Sequence, residues 1–360
     1  MYKKNILVTG ANGYLGSALV AYLKNKNRSY RVLTLDVGLF NECTLHKEKN
    51  KQAVNKDVRD ISEADLEKID SIVHLAGISN DPLNKISPDL IYDPTREYTL
   101  RLAKLAKSLN IRFIFASSCS VYGAANTKSL LNENSITNPQ TAYSLNKIQI
   151  EKDLEKIADK NFSPICLRFA TIFGMSKCMR FDLVINMLVA MALINKKIIL
   201  NSDGKAWRPN LYIEDACSAI DKALKYKKNK KDKKILILNV GRNDNNLKII
   251  DIAKKIKNLI KGSEIFFIDK NTNNNLIEDR KIKKGKDSRT YKVSFNKIKK
   301  KFINYNCQHT VEHGIKKLIK DLKKIKLTKN IFLNKKFYRL QYLEYLYKKK
   351  KINSSLKWKN

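Results

Sequence analysis

The segment Asn5-Ile6-Leu7-Val8-Thr9-Gly10-Ala11-Asn12-Gly13-Tyr14-Leu15-Gly16 constrains the fold more than any other. An apolar run leads straight into three glycines spaced three apart. Leu15, Leu19, Val20 and Leu23 then recur at helical spacing. A buried strand that turns at once into a helix leaves bare N–H groups at the helix's positive end, where a pyrophosphate binds. Gly10 suits the tight turn, Gly13 lets phosphates approach, and Gly16 lets the helix lie close to the strand. Tyr14 and Leu15 open that helix and belong to the same contact surface. The GxxGxxG spacing is a variant of the dinucleotide fingerprint. The next alternating run, residues 30–36, ends in Asp36, 20 residues after Gly16. A carboxylate there takes the adenosine ribose hydroxyls and repels a ribose phosphate, which predicts NAD rather than NADP.

At 360 residues, 43% of them apolar, the chain can bury a large core. That core is one domain of about 250 residues with an appendage, or two lobes. The longest apolar stretch, 183–194, contains Asn186 and is too short to span a bilayer, so no transmembrane segment is expected. The first strand starts close to residue 1, so no signal peptide is expected. Six cysteines (43, 119, 166, 178, 217, 307) show no CxxC spacing and read as free thiols of a reducing cytoplasm. His309 and His313 are four apart, but no further ligand pattern joins them, so no metal is expected.

The net charge of +38 points either to a nucleic-acid or membrane surface or to compositional drift. Lysine far outnumbers arginine and is spread along the chain. A dedicated nucleic-acid surface shows arginines and exposed aromatics on one face. Drift is therefore favoured, with no specific nucleic-acid partner expected. Weak contact of the basic tail with an anionic surface stays open.

Beyond the first unit the strand–helix alternation continues. Residues 53–58 read as a short strand, 71–76 as an apolar strand ending at Gly77, and 90–109 as a long helix. Strand 111–116 ends in Ser117-Ser118; helix 142–158 and strand 164–169 come next. This predicts an α/β fold with a doubly wound parallel sheet over residues 1–174. Ligands bind beyond the carboxyl ends of such strands, and Gly10, Asp36, Asp57, Gly77, Ser117 and Ser118 all fall there. A helix at 181–194, a loop at 201–210, a helix at 213–226 and a strand at 235–240 predict a smaller substrate lobe over 175–325. That lobe is interleaved with the last strands of the sheet. Residues 326–360 form a basic, aromatic tail, read as packing on the domain, lying on a membrane surface or binding a partner, with packing expected first.

Tyr143 and Lys147 stand at i, i+4 on one helix face. A tyrosine ordinarily ionises near pH 10 and is a poor base at neutrality. A fixed ammonium and a positive nicotinamide ring favour the phenolate. Tyr143 can then accept a proton from a sugar hydroxyl as hydride leaves the same carbon, while Lys147 also holds the nicotinamide ribose. Ser118, at a strand end, can bond the reacting oxygen.

With these motifs the chain resembles the extended short-chain dehydrogenases/reductases of the NAD-dependent epimerase/dehydratase family, with a Rossmann-type sheet. The resemblance rests on residues 9–16, Asp57-Val58-Arg59-Asp60, His74-Leu75-Ala76-Gly77, and Ser117-Ser118-Cys119-Ser120-Val121-Tyr122-Gly123. It also rests on Tyr143 through Lys147, residues 167–174, 203–209 and 212–216, and covers roughly 1–320. It implies that Asp57 and Val58 frame the adenine, and that Leu75, Ala76, Gly77 and Ser117 line the cofactor. Counting back from Val121-Tyr122-Gly123, it places the catalytic hydroxyl on Ser118. Ser120, Arg208 and Arg289 match substrate positions, where guanidinium geometry suits a nucleotide diphosphate. It further implies a homodimer built from the helices at 89–109 and 142–158.

Departures from the family narrow the reaction. The 4,6-dehydratases have an Asp-Glu pair directly after the catalytic hydroxyl; here Cys119 and Ser120 stand there. Cys119 is similar to the cysteine of GDP-fucose synthase-like enzymes, but no histidine lies between 75 and 308 to partner it. Thr95 stands nearest to where the family has an asparagine. The expected activity is an NAD-dependent nucleotide-sugar epimerase, similar to UDP-glucose 4-epimerase. A nucleotide-sugar 4-ketoreductase is the alternative, and a 4,6-dehydratase is disfavoured. A nonenzymatic NAD-binding scaffold with a basic tail is the reading from another class, and intact Ser118, Tyr143 and Lys147 argue against it.

Overall fold

The computed structural model describes residues 4–26, 29–45, 54–79, 88–126, 128–229, 234–268 and 289–359. The first half runs β1 (Lys4–Thr9), α1 (Tyr14–Lys26), β2 (Tyr30–Asp36), β3 (Val54–Asn55), β4 (Ser71–His74), α2 (Pro88–Ser108), β5 (Arg112–Ser118), α3 (Ala142–Ile157) and β6 (Ile165–Phe169). The second half runs β7 (Thr171–Phe173), α4 (Val184–Asn195), β8 (Lys197–Leu200), β9 (Trp207–Tyr212), α5 (Ile213–Lys225), β10 (Leu236–Val240), β11 (Asn246–Lys248) and α6 (Ile249–Leu259). It continues through β12 (Glu264–Phe267), α7 (Asn296–Lys301), α8 (Val311–Lys324), α9 (Lys329–Leu333) and α10 (Arg339–Lys348).

Seven strands form one parallel sheet in the order β10-β6-β5-β4-β1-β2-β3. The order reverses direction between β1 and β4, the place where a doubly wound sheet opens a crevice at its carboxyl edge. Ile6, Val8, Ile72 and Val73 are fully buried because helices cover both faces. Leu19 and Leu23 of α1 join Ala219 and Ile220 of α5 in one core layer. Leu102 and Ala106 of α2 join Ile150 and Leu154 of α3 in another. Strand β10, from the second half of the chain, completes the edge beside β6, so the two halves are interleaved as the sequence predicts. A mixed three-stranded sheet (β11-β9-β7) and a two-stranded one (β12-β8) complete the architecture. Among the described residues no helix is long and apolar enough to cross a membrane, and no cluster of three His, Cys, Asp or Glu could hold a metal ion. The six cysteines are buried free thiols.

Three expectations need correction. Residues 201–210, expected as a loop, run into β9, which pairs with β7 on one side and β11 on the other. Those partners lie far away in sequence, so no local signal announces the strand. The short strand expected at 53–58 shrinks to Val54–Asn55 within the described residues. From Asp57 the chain enters a tight turn over Val58–Asp60, capped by the Asp57 carboxylate accepting from Arg59 N at 2.9 Å. The helix expected at 181–194 starts only at Val184. Arg180 and Asp182, just before it, pair with each other at 2.9 Å. The tail packs: Phe332, Phe337 and Tyr338 are buried with Phe181, and Tyr342 is buried with Leu39 and Tyr92.

Charge, not only apolar packing, joins α3 to the sheet. The Glu151 carboxylate meets Arg168 of β6 at 2.6 Å and accepts from Ser117 Oγ of β5 at 2.5 Å. The same guanidinium donates to Tyr122 Oη at 3.0 Å, and Tyr122 donates to Asn239 of β10 at 2.9 Å. Burial opposes the Arg168 charge, and Glu151 outweighs it, so the guanidinium is held above its ordinary pKa. Removing one partner leaves the other charge buried and alone. Glu151→Ala should destabilise the chain by about 3–5 kcal/mol in denaturant unfolding.

Candidate active site

The β1–α1 turn is built for close approach. Gly10 has φ +71°, and a Cβ there would lie 2.7 Å from Ala76 N. A Cβ on Gly16 would run into the Gly10 carbonyl oxygen. Gly13 would meet only that same carbonyl, at 3.1 Å, and its outer side faces a cavity of about 490 Å³. In the first helical turn Ser17 N donates back to Gly13 O at 2.9 Å, while the N–H groups before it have no acceptor within the helix and suit an anion. These features fit a dinucleotide pyrophosphate. At the end of β2, Asp36 accepts from Asn12 N at 2.9 Å and Gly38 N at 2.7 Å. Burial pushes its carboxyl up from the ordinary value, and the two N–H donors counter it. Leu15, Asp36, Asp57, Val58, Leu75, Ala76 and Gly77 all line the cavity. Tyr14 also lines it, but its phenol is committed inward, to Gly174 O at 2.7 Å and to Asn186 at 3.1 Å. Asp57 is likewise engaged, pairing with Arg59 at 2.6 Å.

Beyond the β4 and β5 ends lies a second group of residues. Thr141 caps α3 through a reciprocal capping box with Ser144, fixing where the helix begins. Two residues on, Tyr143 lines the cavity, and one turn later so does Lys147. The Lys147 Nζ donates to Ala116 O at 2.7 Å and sits 5.6 Å from the Tyr143 ring centre. Burial pushes its pKa down to about 8, with Glu151 one turn further holding against that fall. The pair predicted from spacing is thus brought together on the cavity wall.

The three serines at the end of β5 and just beyond it diverge. Ser117 lines the cavity, but its hydroxyl is turned back to Glu151 at 2.5 Å. Ser118 accepts from Ser120 N at 3.1 Å and keeps its own O–H to donate. Ser120 Oγ is buried at the cavity wall without a protein partner. An orphaned hydroxyl there fits a site meant for a polar ligand. Between them Cys119 points the other way. It is 1% exposed, lies in the core under the sheet and donates to Arg168 O at 3.1 Å. Burial raises its thiol far above the ordinary value, so it stays protonated. His74 bridges Thr9 and Thr99 at 2.8 and 3.0 Å. Burial drives it down to about 3, so it remains neutral.

Charge at the site is selective. Of 13 arginines and 59 lysines in the sequence, the described cavity wall takes five arginines (59, 180, 208, 289, 339) and one lysine, Lys147. The abundant lysines therefore do not build the described wall, which presents guanidinium groups, whose planar donors suit an anion. Arg208 donates to the Trp207 and Arg289 carbonyls and lies 5.6 Å from the Tyr291 ring, which brings the two predicted arginines to one place. Arg180 is a site residue that sequence reasoning misses. It donates to Ser79 at 2.8 Å and twice to Asp182 at 2.9 Å. Burial works against its charge, Asp182 outweighs burial, and the phenols of Tyr14 and Tyr143 add to the same side. No motif surrounds Arg180, so only the folded chain brings it near Tyr143.

The Lys147 charge is present below about pH 8 and is lost as the pH rises through that value. The kcat/KM of a reaction using Tyr143 should therefore fall on the alkaline side with a midpoint near pH 8. Lys147→Arg, which keeps its charge, should lower the rate but abolish that limb of the pH profile.

Comparison with known proteins agrees with this geometry. Residues 6–241 match the model of the NAD dependent epimerase/dehydratase family. The dTDP-D-glucose 4,6-dehydratase of Dictyostelium discoideum is 28% identical over 72% of this chain and 63% of its own length, so the chain spans less than two thirds of that relative. The UDP-glucose 4-epimerase of Mycoplasma genitalium is 26% identical over 71% of this chain and 82% of its own. Among solved structures, the NAD complex of dTDP-glucose 4,6-dehydratase from Bacillus anthracis superposes with TM-score 0.70 at 23% identity, covering 94% of this chain and 99% of that one. Because the family match spans residues 6–241 of the 360, this protein belongs to the NAD dependent epimerase/dehydratase family.

Proposed function

We propose that the chain is a nucleotide-sugar epimerase acting at the 4-position, similar in reaction to UDP-glucose 4-epimerase. The two residues after Ser118 carry this reading. A dehydratase needs an acid and a base beside the sugar to expel water. Here Cys119 is turned into the core with a protonated thiol, and Ser120 offers only a neutral hydroxyl. The relatives divide between 4,6-dehydratases and 4-epimerases, and these two positions favour the second.

In this reading Tyr143 removes the proton of the sugar's 4-hydroxyl, and the Lys147 ammonium stabilises the phenolate. Ser118 donates to the reacting oxygen, and Ser120 bonds a neighbouring sugar hydroxyl. NAD supplies the site that accepts hydride from C4 and returns it. Arg208 and Arg289 hold the diphosphate, so the hexose can turn over while its anchor stays fixed. Tyr143 then gives the proton back to the inverted oxygen. The balance is redox-neutral.

UDP-, GDP-, dTDP- and CDP-hexoses should be screened by product analysis, with absorbance at the NADH band followed during turnover. Epimerisation without net change at that band is expected, whereas stoichiometric NADH consumption would make the chain a ketoreductase. Tyr143→Phe should cut kcat by roughly 10²–10⁴-fold, the range for loss of a general base. Its NAD content should be unchanged, measured on the purified variant.

A further inference from the structure

The family match ends at residue 241, yet the chain returns to the cofactor end of the cavity about a hundred residues later. Arg339, Ser355 and Leu356 line the same cavity as Asp36, Asp57 and Arg59. Three tethers fix the returning segment to the loop after β2 and the turn after β3. The Arg59 guanidinium, already paired with Asp57, donates to Ser355 O at 2.7 Å. Trp358 Nε1 donates to Val37 O at 2.7 Å, one residue past Asp36. Tyr342 Oη donates to Glu42 at 3.1 Å.

Apolar packing reinforces them. Leu343, Leu346, Ile352 and Leu356 are buried in one cluster with Leu39 and Cys43 of the loop after β2. The Arg339 guanidinium lies 4.5 Å from the Phe40 ring, donates to Cys178 O at 3.1 Å, and lowers the Asp36 carboxyl by its charge. The last turn is itself ordered, with Ile352 bridged to Trp358 and Ser355 Oγ bonded to Asn353 at 2.9 Å.

A segment that only covered spare surface would not reach the carboxyl end of β2 and the Asp57 turn together. We propose that residues 339–358 form the outer wall of the adenosine pocket and hold NAD in place between turnovers, so that the dinucleotide leaves only when this segment detaches. Leu356 closes the pocket against the adenine, and the Arg59–Ser355 and Trp358–Val37 bonds hold the wall shut. The proposal rests on the family's cofactor and on the pocket geometry, not on the epimerase reading, because retention is measured without sugar.

The test uses the full chain loaded with NAD. Release is followed by exchange against isotopically labelled NAD, in wild type and in Leu356→Asn/Trp358→Ala. Wild type should purify with NAD bound and exchange slowly, and the double variant should exchange at least tenfold faster. Circular dichroism at saturating NAD checks that the variant is folded. A folded double variant exchanging within twofold of wild type would overturn the proposal. A second measurement needs no variant: hydrogen exchange of the wild-type chain with and without NAD. Amides of residues 350–359 should become more protected when NAD is bound, and unchanged protection there would equally refute the wall.

Discussion

The Glu151–Arg168 pair sets the geometry on which the site depends. It joins the middle of α3 to β6, and through Ser117 to β5, with Tyr122 extending the link to β10. Lys147 and Tyr143 lie one and two turns before Glu151 on the same helix. Their height above the strand ends and their rotation toward the cavity are therefore set by where that carboxylate is pinned. Asn146 adds a second fix, donating to Tyr92 O of α2 at 2.7 Å. A buried ion pair is a poor source of net stability but a good device for specifying one arrangement, and here the specified arrangement is a helix phase.

The site also holds charge where solvation does not. Keeping Lys147 protonated in its buried position works against a pKa fall from 10.5 to about 8, worth about 3 kcal/mol. That figure is already net of the Glu151 carboxylate, which holds against the fall. A cation so poorly solvated exerts a strong field on a neighbouring phenol. The arginines obey a different logic: a guanidinium keeps its charge and its planar donors suit an anionic ligand. The large lysine excess lies outside the described wall of this site, which separates a composition spread along the sequence from a selection made at the cavity.

Much of the site is legible in the sequence. The glycine trio, Asp36 and the Tyr143–Lys147 spacing each carry a local geometric meaning, and the folded chain puts all of them around one cavity. Cys119 reads as a strand-end residue because no partner is in range. The features that escape such reading share a cause. Strand β9 exists because β7 and β11 flank it. Arg180 and Ser79 meet across 101 residues, and Trp358 reaches Val37 across 321. Neither pairing leaves a periodicity or a motif. The tail's aromatics and lysines make packing the first expectation but leave a membrane surface or a partner open until the surface they cover is known.

The sequence by itself determined the alternation of strands and helices, the glycine-rich turn and the Tyr143–Lys147 pair, because each is set by residues within a few turns of one another. Tertiary structure alone decided where each serine hydroxyl points, which arginines gather at the cavity, and that Arg339, Ser355 and Leu356 return to line it beside Asp36 and Arg59. Those outcomes depend on contacts between residues distant along the chain, whose meeting is fixed by sheet order and core packing rather than by any local preference.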